Sequence, residues 1–186
     1  PLFLFTKDRP ATGIGMGDAV RRGFKELVQT IKNARQHATA FKFLIARMIY
    51  TDGLNTLFAF GGIYAAGTFG MSFADLIKFG IGLNVTAGIG AFGFAWLDDR
   101  WGSKKVILVS LTTLTFLSFG MLMVTDIVHF WMIGLSLGIF IGPAQSASRS
   151  IMAHLAPPEI RTEMFGLYAF SGKVTAFMGP MLVGEL

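Results

Sequence analysis

The sequence predicts an all-α membrane protein, a helical bundle of about five membrane-spanning helices with the end of another before them. Five apolar runs, at roughly residues 43–69, 76–97, 106–124, 129–149 and 164–184, are each about long enough to cross a bilayer as a helix. The charged residues gather in the links between these runs rather than on a polar face. The chain is 53% hydrophobic and only 15% charged, where a soluble domain carries roughly 25% charged residues. Its mean hydropathy is +0.59, and its 23 glycines suit the close contacts of packed membrane helices.

Taken in order, residues 1–6 open on Pro1-Leu2-Phe3-Leu4-Phe5, with neither an initiator Met nor a basic leader, and resemble the tail of a preceding span. The expectation is a piece of a longer protein. Residues 7–42 form a polar link. Within it Val20, Phe24, Leu27, Val28, Ile31 and Ala38 recur at helical spacing, while Arg21, Arg22, Lys25, Lys32 and Arg35 fill other faces. Such a basic amphipathic helix suits an anionic membrane surface or the cytoplasmic ends of its own bundle. Residues 43–186 are then the bundle itself, truncated after its fifth span. Short connections at 70–75, 98–105, 125–128 and 150–163 link its helices.

The bases orient it. The 7–42 link holds eight Lys and Arg and the 98–105 loop three, with Arg149 and Arg161 marking the next region on that side. The loops at 70–75 and 125–128 hold none. Positively charged loops stay cytoplasmic, so the links alternate inside and outside along the chain without contradiction.

Several classes of function are disfavoured. A net charge of +5 could suit nucleic acid, but these bases lie between apolar runs, so no nucleic-acid partner is expected. The absence of cysteine removes disulfides and thiolate metal sites, and His37, His129 and His154 lack ligand spacing, so neither metal nor cofactor is expected. No HExxH, GxSxG or phosphate-cradling loop is present, which argues against an enzyme.

The spans differ in polarity. Residues 106–124 contain only Ser and Thr as polar groups and could face lipid all round. The first span carries Arg47, Asp52 and Asn55, the last two sharing a face three residues apart. A charged group at a helix centre costs about 2.5–3.5 kcal/mol on insertion scales, so such groups face a protein interior or a watery cavity. Asp52, about two and a half turns into its helix, is too short to reach the interface, which suits either proton coupling or the pinning of two helices. Arg47 lies nearer the edge and has a stem long enough to snorkel. In the fourth span Pro143 breaks the backbone ladder, and Gln145 and Arg149 share a face below it. A kinked, cavity-lining helix and plain helix–helix hydrogen bonding both explain this stretch. Lys173 lies deep in the fifth span and needs a partner. Asp52 is the candidate, in at least one conformational state.

The stretch Ala95-Trp96-Leu97-Asp98-Asp99-Arg100-Trp101-Gly102-Ser103-Lys104-Lys105 resembles the G-x-L-a-D-R-x-G-R-[RK] loop signature of the major facilitator superfamily. Asp99, Arg100, Gly102 and Lys104 match, and Lys105 keeps the basic ending. Ala95 and Ser103 replace the leading glycine and the first arginine, as in the weaker second-half copy of the loop. The stretches from Arg47 to Gly53, from Gln145 to Ser150 and from Phe165 through Lys173 to Pro180 resemble the vacuole-effluxer-like branch, which includes an autophagy-related amino-acid effluxer.

The resemblance implies the C-terminal half of a twelve-helix transporter with a central cavity and alternating access. In that architecture the first and fourth spans line the cavity, the fifth flanks it and the third is outer scaffold. The implied activity is secondary transport of a small polar solute, amino acids among the candidates, coupled to protons. Its partners would be that solute, the lipid bilayer and a missing N-terminal half. The cell membrane is the implied address in a bacterium and the vacuolar membrane in a eukaryote. Arg47, Asp52, Asn55, Gln145, Arg149 and Lys173 are the cavity or coupling candidates, and Asp99, Arg100, Gly102, Lys104 and Lys105 the gating loop. A non-transporting scaffold or sensor on the same fold is the alternative, although it would have little reason to keep costly buried charges.

Overall fold

The computed structural model describes Arg21 and residues 37–174. Five helices follow one another: α1 (Ala38–Phe69), α2 (Phe73–Trp101), α3 (Ser103–Leu122), α4 (Ile127–Leu155) and α5 (Arg161–Val174), with a 3-10 turn at Pro158–Ile160 before the last. Among the described residues there is no strand. The stub at 1–6, the amphipathic helix within 7–42 and the end of the fifth span lie outside the described residues, apart from Arg21, which is helical. α1 begins five residues earlier than the apolar pattern suggests, within the expected link.

Local chemistry sets the helix ends. α1 stops where Gly70 takes the left-handed conformation, φ 62°, and its N–H bonds the Ala65 carbonyl. Ser72 caps α2: its hydroxyl accepts the Asp75 N–H and donates to the Asp75 carboxylate at 2.7 Å. Asp126 caps α4, accepting the Val128 and His129 N–H groups at 3.2 and 3.3 Å. The His129 ring, 2.9 Å away, and these two N–H bonds hold the Asp126 carboxyl below its ordinary range. This cap therefore stabilises α4 above the usual carboxylate pKa and fades as the pH falls through the lowered folded value.

The charged loop of the sequence reading is almost absent. α2 continues through Asp98, Asp99 and Arg100 to Trp101, and α3 resumes at Ser103, leaving Gly102 alone between them. One residue can turn the chain here because Gly102 has φ 82°, a region that a Cβ disfavours.

α2, α3 and α4 are long and apolar enough to cross a membrane. α1, with 32 residues, reaches about 48 Å, but its Arg47, Asp52 and Asn55 dilute its hydropathy. α4 is the hub, packed along both α2 and α3. α1 packs mainly on α5 and only thinly on α2. α3, expected to be lipid-exposed all round, instead buries Val106, Ile107, Ser110, Leu114 and Met121. Their spacing of three and four residues lays one stripe against α4.

The α2–α4 contact is made by backbone. A Cβ on Gly142 would collide with the Ala87 carbonyl, one on Gly138 with the Thr86 hydroxyl, and one on Gly90 with the Ile139 carbonyl. Gly134, Gly138 and Gly142 recur every four residues, the small-residue spacing that lets membrane helices approach closely. Ile139 is also four residues before Pro143, which has no N–H to offer its carbonyl. Gly90 brings its Cα against that oxygen, a weak C–H···O contact at the point where the ladder is broken. The helix runs unbroken through Pro143.

A methyl group at Gly142 should therefore cost about 1–3 kcal/mol of overpacking and lower the detergent melting midpoint. The same change at Gly61, where a Cβ would meet nothing within 4 Å, should leave it nearly unchanged. Equal midpoints for Gly142→Ala and Gly61→Ala would show that α2 and α4 have room between them.

Candidate functional site

Below the glycine contact, α4 changes character. Gln145 and Arg149 follow Gly142 at steps of three and four residues, so long polar side chains follow small ones along one side of the helix. There α1, α4 and α5 enclose a cavity of about 160 Å³. Arg47, Tyr50, Thr51 and Asn55 line it from α1, Gln145 and Arg149 from α4, and Tyr168 from α5, with Leu54 and Phe58 as apolar wall. The cavity thus gathers four of the six candidate residues, Arg47, Asn55, Gln145 and Arg149, from segments about a hundred residues apart.

Arg47 is engaged with α5. Its Nη1 donates to the Tyr168 carbonyl at 2.7 Å and to the Ser171 hydroxyl at 2.8 Å, and its guanidinium lies 3.7 Å from the Tyr168 ring centroid. A Cβ at Gly172 would sit 2.8 Å from the same nitrogen, so the glycine makes room for the arginine. The side chain does not snorkel; it clamps α1 to α5. Beside it the Tyr50 and Ser148 hydroxyls are hydrogen-bonded, tying α1 to α4, and Ser148 also donates to the Ala144 carbonyl at 2.6 Å. Arg149, Gln145 and Asn55 make no hydrogen bond or ion pair with another described residue.

Asp52 and Lys173 do not line the cavity. Asp52 is half-buried on α1, next to the cavity residue Thr51, and its backbone carbonyl accepts the Thr56 hydroxyl at 2.9 Å. Lys173 is exposed on α5. The two form no ion pair with each other in this conformation; ion pairs among the described residues include Lys78–Asp75 and, with a protonated ring, His129–Asp126.

The loop signature lies at the bundle end where α1 begins, α2 and α4 end and α3 starts. An open cleft of about 820 Å³ separates these ends, and Asp98, Asp99, Gly102, Lys104, Lys105 and His154 are among its lining. Asp99, although it lies just before the next helix, does not cap it. α3 instead has Gly102 as its N-cap, with no side-chain bond, because a one-residue turn leaves Asp99 exposed in the last turn of α2. Arg100 stacks on Trp96, 4.5 Å from the ring centroid. The buried acid here is Asp98: its Oδ1 is inaccessible and has no hydrogen-bond partner among the described residues.

Sequence reasoning passed over Tyr50, Tyr168 and Ser171 as individual residues, while helix–helix hydrogen bonding, one of its two readings of the stretch around Ser148, is what the Tyr50–Ser148 bond provides. The tyrosines carried a signal, since a phenol inside an apolar helix needs a polar partner. Which partner it finds is a matter of packing.

Comparison with known proteins follows the same lines. The family described as "Vacuole effluxer Atg22 like" matches residues 1–186. The protein named "Uncharacterized MFS-type transporter YxiO" of Bacillus subtilis is 28% identical over 164 residues, covering 88% of this chain and 38% of the relative. "Autophagy-related protein 22" of Saccharomyces cerevisiae is 24% identical over 175 residues, covering 88% of this chain and 33% of its own. The protein of that name from Coccidioides immitis is 25% identical over 175 residues, covering 86% and 29%. The chain spans about a third of the length of these curated relatives. No solved structure matches it significantly.

The clamp has a measurable consequence. Replacing Arg47 by Ala should cost about 1–2 kcal/mol, as for other interhelical polar contacts in membranes, and should raise amide exchange in α5 before α2 or α4. Lys at this position should restore little, since a point charge offers neither the planar stack nor the paired donors. Unchanged α5 protection in Arg47→Ala would remove the clamp.

Proposed function

The chain belongs to the vacuole effluxer Atg22-like family, and from that premise we propose that it is the C-terminal helical part of a secondary transporter. On this reading residues 1–6 end a preceding span, 7–42 form a cytoplasmic link, and 43–186 are the bundle that works against an N-terminal half. The solute is small and polar, protons drive it, and the two halves alternate access to a site between them. The single observation that carries the proposal is the polar cavity of Arg47, Asn55, Gln145 and Arg149, set among helices that are otherwise apolar. Lipid-facing helices have no use for such groups; a path for a polar solute does.

Roles follow from position. Gln145, Arg149 and Asn55 contact the solute. Arg47 is the hinge between α1 and α5 and stiffens one wall. Asp52, adjacent to the wall residue Thr51, is the coupling carboxyl, and Lys173 approaches it in a second conformation. At the other cleft, Asp99, Arg100, Gly102, Lys104 and Lys105 form the gate. Their contacts differ between conformations, so they bias the exchange of access rather than the affinity for solute.

The test is solute flux into proteoliposomes containing the full-length protein, driven by an imposed pH gradient. Flux should follow the gradient in the native protein. In Asp52→Asn, counterflow should persist while gradient-driven accumulation is lost, because exchange of bound solute needs no proton step. Accumulation at native levels in that variant would remove Asp52 from coupling. Asp99→Asn should slow transport several-fold with solute binding unchanged, and loss of binding instead would remove the gate assignment. Absence of any gradient-driven flux in the native protein would overturn transport itself.

A further inference from the structure

We propose that the α1–α4–α5 cavity is a carboxylate subsite, in which Arg149, Gln145 and Asn55 hold the charged end of the solute and no protein acid answers an ammonium. The inference rests on the transport reading and names the solute's chemistry.

The charge inventory leads to it. Among the described residues, two guanidiniums line the cavity and no Asp or Glu does. Arg47 is committed to the Tyr168 carbonyl, the Ser171 hydroxyl and the Tyr168 ring. Arg149 is committed to no described residue, and neither is the amide of Gln145 or Asn55. One uncommitted guanidinium and two amides line the same cavity, and their N–H donors suit the two oxygens of a carboxylate. A phosphate dianion would leave part of its charge unmatched by the one uncommitted guanidinium. A neutral solute would leave the guanidinium without a counter-charge.

Size and shape limit the rest of the molecule. Within this chain the cavity is about 160 Å³, room for the carboxylate and a few further non-hydrogen atoms, with the rest of the solute facing the other half. Leu54, Phe58 and the ring of Tyr50 meet that remainder. A short monocarboxylate with an apolar tail satisfies every surface present. A 2-amino group adds a positive charge whose available acceptors are amide and hydroxyl oxygens, so it contributes little to recognition.

The experiment is competition for binding to the full-length protein in proteoliposomes, with protein-free liposomes as blank, using propionate, butyrate and valerate, their primary amides and the matching 2-amino acids. The carboxylates should bind, the amino acids should do so with similar affinity, and the amides should bind at least roughly ten-fold more weakly, as expected when a charge-assisted hydrogen bond is lost. Arg149→Gln should erase the preference for carboxylate over amide. Arg149→Lys should restore part of it, which separates charge recognition from simple loss of fold. Amides that compete as well as carboxylates would overturn the inference, and so would amino acids that bind far more tightly than their deaminated counterparts. If another solute follows the pH gradient while no carboxylate binds, the subsite falls and the transport reading stands.

Discussion

Close approach of the α2 and α4 backbones is the constraint on which this bundle depends. Inside a bilayer, apolar side chains gain nothing by leaving lipid for protein, so helices are held by dense contact and by polar bonds. Gly90 on α2 and Gly134, Gly138 and Gly142 on α4 allow that density: three of the four place backbone or hydroxyl oxygens where a Cβ would stand. With α4 fixed against α2, its opposite side receives the buried stripe of α3. The remaining helices are arranged around this three-helix unit. Pro143 fits the same scheme, because the carbonyl it leaves without a donor lies against Gly90.

Where the glycines end, the mode of cohesion changes. Gln145 and Arg149 are too long for backbone contact, and α1 and α5 meet α4 across a polar space instead. Arg47 bridges α1 to α5, and the Tyr50–Ser148 hydroxyl bond bridges α1 to α4. Beside these ties a buried apolar cluster of Ala40, Leu44, Met152, Met164 and Leu167 joins the same three helices, so polar bonds and apolar packing share this side of the bundle.

The charged signature shows a similar economy. Gly102 compresses what looks in sequence like a loop into a single residue, so the charged residues on either side become helix ends rather than a tether. Asp98 turns inward and Asp99 outward from consecutive positions of one helix, each offset by 100° from the other. The helix ends around this cleft are separated rather than packed, and Asp98 Oδ1 stands without a donor among the described residues.

The helices, their order and the residues that interrupt their apolarity were legible in the sequence, because a bilayer demands long hydrogen-bonded apolar segments and penalises each exception. Ser72, Asp126, Gly70 and Gly102 mark helix ends through local rules that need no tertiary partner. Arg47, Asn55, Gln145 and Arg149 stood out for the same reason: each is expensive in lipid. Which of them share a cavity, and which partner each takes, depended on side-chain reach between helices distant in sequence. Arg47 therefore meets the Tyr168 carbonyl rather than the interface, and Asp52 and Lys173 stand apart. The buried face of α3 could not be read from a segment apolar on every side. Composition and periodicity determine what each helix can tolerate; only the packed backbone decides what each helix meets.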